Sequence, residues 1–146
     1  MPVGRSSSPT HQQGAQAEDA AASFLQHQGY QLVAQNFNTR FGEIDLIVQR
    51  AQQLVFVEVR QRKANSLVSA LESITFAKQR KIIRAAQVFL QQHKQYHNHD
   101  CRFDVIALTS KPIPSSQKWP ALAQSTAQDV SMPFELEWIQ AAFDIA

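Results

Sequence analysis

Three acids stand inside a run of strand-forming residues. In GEIDLIVQRAQQLVFVEVR, Gly42 to Arg60, the residues Glu43, Asp45 and Glu58 interrupt Ile, Leu, Val and Phe, and Arg60 closes the run. A tight turn at Ala51 and Gln52 sets Asp45 opposite Glu58 and Glu43 opposite Arg60, with facing Cβ atoms ~4.5–5.5 Å apart. A four-residue turn would leave Asp45 and Glu58 diagonal, ~7–8 Å apart, on one face. Like charges so placed repel unless something binds between them. A hard divalent cation such as Mg²⁺ or Mn²⁺ takes one or two carboxylates and fills its shell with water and phosphate oxygens. Such an ion can activate a water against a phosphodiester. The alternative is ordinary ion pairing at strand ends, Glu43 with Arg60 and Asp45 with Arg40 or Arg62, facing water.

These groups need a sheet to carry them and helices to cover it. Thr10 and Gln13 form a capping-box pattern that starts a helix running to about Gln28, with Ala17, Ala21, Phe24 and Leu25 on its apolar side. Gly29 is placed to stop it. A strand is expected over about Tyr30 to Phe37, with a turn at Asn38, Thr39 and Arg40. In the hairpin that follows, period-2 alternation puts Ile44, Leu46 and Val48 on one face, and Glu43, Asp45 and Ile47 on the other. Val55, Val57 and Val59 share a face of the second strand; Leu54, Phe56, Glu58 and Arg60 share the opposite one. Apolar residues on both faces mark a central hairpin covered on both sides. A long helix is expected over roughly Ile74 to His93, burying Ile82, Ala86, Phe89 and Leu90. RFDVIAL, Arg102 to Leu108, reads as a further strand, and FELEWIQAAF as a short strand ending in a helical turn. The order α-β-β-β-α-β-(β) defines an α/β domain with one mixed sheet flanked by helices.

The 146 residues suit one domain over residues 10–146, preceded by a flexible polar tail at 1–9. From Ser110 to Pro133 four prolines and many polar residues predict an irregular surface loop. The single cysteine, Cys101, excludes an internal disulfide and fits a cytoplasmic setting. The N-terminal stretch lacks a signal-peptide apolar core, and no apolar run approaches the ~18 residues of a membrane span.

The formal net charge of +2 names no partner, but its distribution is informative. Arg60, Arg62, Lys63, Lys78, Arg80, Lys81 and Arg84 are half of the fourteen Lys and Arg, and Glu72 is the only acid among them. A local positive field beside an acidic site suits a polyanion and gives salt-dependent, largely sequence-independent phosphate contacts. The competing reading is a solvated helix face. No aromatic platform is read among these cations, so duplex or structured nucleic acid is expected over single strands.

GEIDLI, its spacing to FVEVR, and the later FAKQRKIIRAA and CRFDVIAL segments resemble the YraN family of uncharacterised bacterial proteins. The resemblance covers about Gly14 to Leu108 and resumes at ELEWIQAAF. It implies a restriction-endonuclease-like fold, shared with archaeal Holliday-junction resolvases and many Mg²⁺-dependent nucleases. It further implies a metal site at Asp45 and Glu58, joined by Glu18 from the first helix, with Glu43 in support. Arg60 stands where that fold carries a lysine. An arginine stays protonated and cannot act as a general base, but it can grip a phosphate or hold a water. The resemblance therefore favours nucleic-acid binding and leaves cleavage and binding without cleavage both open, the remaining alternative being an interaction or scaffold protein whose carboxylates are purely structural.

His93, His97 and His99 precede Cys101. A turn apart, His93 and His97 have a metal-compatible spacing, but they read as polar residues at a helix end. Cys101 reads as a small buried strand residue, while Trp119 and Trp138 fit core and interface equally. No Gly-rich phosphate loop and no nucleophile elbow is present.

Overall fold

β-Branched and aromatic residues alternating around a two-residue turn build the centre of the sheet. The computed structural model describes residues 9–63, 68–110 and 134–144. Its elements are α1 (Pro9–His27), β1 (Gln31–Asn38), β2 (Glu43–Arg50), β3 (Gln53–Arg62), α2 (Phe76–Gln92), a 3₁₀ turn (Lys94–Tyr96), β4 (Asp100–Ser110) and β5 (Phe134–Phe143). The five strands form one sheet in the order β1-β2-β3-β4-β5. All neighbours are antiparallel except β3 and β4, which run parallel and are joined through α2. This is the expected mixed α/β architecture.

Each helix covers one face. Ala17, Ala21, Ala22 and Leu25 of α1 pack on Leu46, Val48, Val55 and Val57. Ile82, Ala85, Ala86 and Phe89 of α2 pack on Ile44, Ile47, Leu54 and Phe56. The three alanines of α1 let its backbone approach the sheet closely. Gly29, at φ +92°, ends that helix in a conformation that suits glycine. The helix already includes Pro9, which puts Thr10 within its first turn rather than ahead of it.

Two expectations change. Ile44 does not share a face with Leu46 and Val48; it packs with Ile47 in the α2-side core. Alternation breaks at Asp45, and opposite it Asn36 of β1 adopts φ +54° between the pairs Gln35–Leu46 and Phe37–Ile44. FELEWIQAAF is one continuous strand rather than a strand and a helical turn. Its helical preference yields to β4 pairing and to a buried anchor. Asp104 accepts hydrogen bonds from Trp138 Nε1 (2.9 Å) and from the Ala141 N–H (3.0 Å), where the strand bulges at positive φ.

Trp138 is thereby held, partly buried, against the α1-side core, edge-on to Phe24 and Tyr30. Cys101 is half-buried. His93 Nδ1 bonds the Phe89 carbonyl and His97 Nε2 the Leu90 carbonyl, so both serve the C-terminal end of α2. Among the described residues no helix is long and apolar enough to cross a membrane. The expected tail at 1–9 (Pro9 apart), the loop beyond Ser110 up to Pro133, and Trp119 lie outside the described residues.

Candidate functional site

The hairpin takes the tight register: Arg50 pairs with Gln53 across the turn, and the ladder runs back to Leu46 and Val57. There the backbone pairing of β2 with β3 stops. Asp45 takes over with its side chain, Oδ2 accepting the Val59 N–H at 2.8 Å. A carboxylate thus fills the place of a strand carbonyl, and this holds it at the fork between the two strands.

Glu58, on the next inward position of β3, is 5% exposed. The Asp45 and Glu58 carboxyls lie close enough to perturb one another. Burial first, and the Asp45 charge second, push the Glu58 carboxyl up to about 8, against the pull of Lys78 and Arg60. Asp45 is also raised, by burial, while the Val59 N–H works the other way. Near neutral pH Glu58, the buried member of the pair, therefore holds a proton beside the partly buried Asp45.

Two cations flank Glu58. Arg60 Nε lies 3.7 Å from Glu58 Oε1, and Lys78 Nζ lies 3.7 Å from the same oxygen. Arg60 comes from β3 itself; Lys78 comes from the first turn of α2, where Thr75 caps the helix by accepting the Lys78 N–H. Arg60 Nε is buried and has no hydrogen-bond partner. An orphaned buried donor beside a carboxylate is a place for an incoming oxygen atom.

Glu18 approaches from the other face. It is half-buried on α1, and burial followed by the Asp45 charge raises its carboxyl to about 6. Asn36 and Gln35 stand near enough to pull the other way, although Gln35 Nε2 itself donates to Asp19 at 3.2 Å. The left-handed Asn36 is thus the β1 residue that meets the helix acid, a role its type suits because asparagine tolerates positive φ. Among the described residues no three His, Cys, Asp or Glu side chains gather as a metal-binding group. The close set is the Asp45–Glu58 pair, with Glu18 as an electrostatic neighbour.

Glu43 behaves differently from its sequence expectation. It is exposed, pairs with Asn38 of β1, and forms none of the ion pairs among the described residues. The expected Glu43–Arg60 contact is absent because β2 leaves β3 at Asp45. Arg40 lies over the Phe41 ring instead of Asp45, and Arg62 Nη1 bonds the Ser69 carbonyl. The strand-end ion pairs considered for Asp45 do not form.

Of the remaining cations, Lys63, Arg80, Lys81 and Arg84 are exposed, the last three along α2, with Arg84 also reaching the Phe41 ring. Two site features were hidden in the sequence. Lys78 read as one cation of a run, and Asn36 carried no signal beyond a residue type that suits turns. A shallow hollow lined by Gly29, Gln31, Gln49, Arg50 and Ala51 sits at the hairpin turn, the opposite end from the carboxylates.

The fold and site together define an α/β protein with an acid pair, one member buried, at a strand fork flanked by basic groups. The chain belongs to Uncharacterised protein family UPF0102, whose model matches residues 17–108, a span that holds Glu18, Asp45, Glu58, Arg60 and Lys78. It is 40% identical to the UPF0102 protein of Acinetobacter baylyi over 136 residues, covering 92% of this chain and 91% of that one. Its identity to a UPF0102 protein of Psychrobacter cryohalolentis is 42% over 141 residues, or 93% and 82% of the two chains. For one from Pseudomonas syringae the identity is 39% over 137 residues, or 94% and 97%.

Proposed function

We propose that this protein binds nucleic acid and hydrolyses its phosphodiester backbone with Mg²⁺ or Mn²⁺, acting on duplex or structured DNA. The observation that carries the reading is the pairing of partly buried Asp45 with buried Glu58, the latter pushed up to about 8 between two cations. Two facing acids cost the fold stability. They make sense where a cation can replace the Glu58 proton.

The residues fit such an ion. Their donors are all oxygen, and two carboxylates are what Mg²⁺ commonly takes from a protein. Asp45 and Glu58 would hold it, with Glu18 adding negative charge from α1. When bound, it would polarise a phosphoryl oxygen and acidify a water. The chain's own groups do the rest. The Val59 N–H fixes Asp45. The unpartnered Arg60 Nε donates to a phosphate oxygen and offsets the charge that builds there. Lys78 supplies a mobile ammonium at the position from which a lysine can orient a water. Arg62, Lys63, Arg80, Lys81 and Arg84 hold the flanking phosphates without reading bases.

The test incubates the full chain with labelled duplex, branched and single-stranded DNA, with Mn²⁺ and with EDTA. Metal-dependent cleavage that Asp45→Ala and Glu58→Ala both abolish supports the reading. Binding without cleavage in the wild type would reduce it to a binding module. Neither binding nor calorimetric Mn²⁺ uptake would sink it, leaving the acids a structural role.

A further inference from the structure

Four large hydrophobic residues are exposed among the described residues, and three of them fall within nine positions: Val68 at 47%, Leu71 at 39% and Phe76 at 80%. This segment joins the basic end of β3 to the start of α2. It is held firmly. Ala70 and Ile74 are buried in the α2-side core. The Arg62 guanidinium donates to the Ser69 carbonyl, Ser73 and Ile74 donate backbone N–H groups to Ser69 and Leu71, and Thr75 caps the helix. Phe76 is therefore exposed by construction, since its neighbours at 74 and 75 are fixed.

Exposed cations follow it: Arg80 stands one turn on, on the same side of α2, with exposed Lys81 next to it, and exposed Glu72 is the single acid of the segment. An apolar protein partner would have to bury these charges. A nucleic acid satisfies both halves of the surface, phosphates against the cations and a base against the ring.

We propose that Phe76 is a stacking residue for an unpaired nucleobase at the start of the basic helix α2, so that the protein prefers DNA with exposed bases over continuous duplex. The inference rests on the nucleic-acid reading and sharpens its substrate. It also revises the expectation that the cations lack an aromatic partner, because Phe76 stands alone in sequence and only its exposure reveals it.

The experiment measures binding of the full chain, in EDTA, to a single strand containing 2-aminopurine and to the blunt duplex of the same sequence. The variants are Phe76→Ala and Phe76→Trp. Phe76→Ala is expected to weaken single-strand binding about tenfold and lose the fluorescence quenching, with duplex binding unchanged. Phe76→Trp is expected to restore both. Wild-type binding that Phe76→Ala leaves unaltered, or weakens equally on both probes, would overturn this inference alone. A wild type that binds neither probe would overturn the nucleic-acid reading with it.

Discussion

Lys78 Nζ lies 3.7 Å from Glu58 Oε1, reaching from helix α2 the acid that strand β3 carries. The position two residues after Glu58 on its own strand holds Arg60, so a lysine is supplied to the same carboxylate from another element. If Lys78 orients the attacking water, Lys78→Ala lowers the metal-dependent cleavage rate by about a hundredfold or more, and Lys78→Arg keeps binding without restoring the rate. Single-turnover cleavage assays check this.

Glu58 makes stability depend on pH. Its folded carboxyl is raised from an ordinary value of 4.5 to about 8. Its contribution is fully present below 4.5 and is lost as pH rises through 8, because the unfolded chain releases this proton first. Glu58→Gln keeps a neutral donor, so it should raise Tm near pH 8 by on the order of 5 °C and change little at pH 4. Thermal melts across that window decide it.

The same proton must leave before a cation binds. Mn²⁺ affinity should rise with pH between about 6 and 8, with proton release on binding. Calorimetry in buffers of different ionisation enthalpy reads the proton count. Affinity independent of pH over this range would place the metal elsewhere.

Gly42 sits against α2: a Cβ there would meet Lys81 Cβ at 3.0 Å and the Lys81 carbonyl oxygen at 3.1 Å. Gly42→Ala should cost about 1–3 kcal/mol and push back the helix that carries Lys78. Gly14, in α1, has nothing within 4 Å of such an atom. Gly14→Ala should instead stabilise by about 0.5–1 kcal/mol. Urea denaturation of the two variants gives opposite signs.

Asp104 is 1% exposed and accepts from Arg102 Nε and Nη2, both at 2.8 Å, besides Trp138 and Ala141. Asp104→Ala leaves Arg102 Nε, Trp138 Nε1 and the Ala141 N–H without their acceptor and takes the carboxylate from a half-buried arginine, whose Nη2 keeps only the Tyr30 hydroxyl. The expected loss is about 3–5 kcal/mol, seen as a lower urea midpoint.

Arg80 and Lys81 are exposed and act as phosphate contacts in the proposed function. Each alanine variant should flatten the slope of log affinity against log salt by about 1, for any DNA sequence. Binding measured at several salt concentrations tests this.

What the sequence determined by itself is local. Period-2 alternation located the β2–β3 hairpin and, in either register it allowed, brought Asp45 and Glu58 to one face; the structure chose the tight one. The helical stripes named Ala17, Ala21, Ile82 and Phe89 as buried. Small residues around Glu18 indicated a helix able to approach the sheet. Tertiary structure decided the rest, because those features depend on how separate elements meet. Where β2 parts from β3, Asp45 turns out of the alternating pattern and takes the Val59 amide, and Glu43 is left in solvent. The pairing of β5 with β4, anchored on Asp104, overrides a local preference for helix. The distances from Lys78 and Arg60 to one oxygen of Glu58, and the exposure of Phe76, follow from where α2 crosses the sheet, and no residue spacing encodes that crossing.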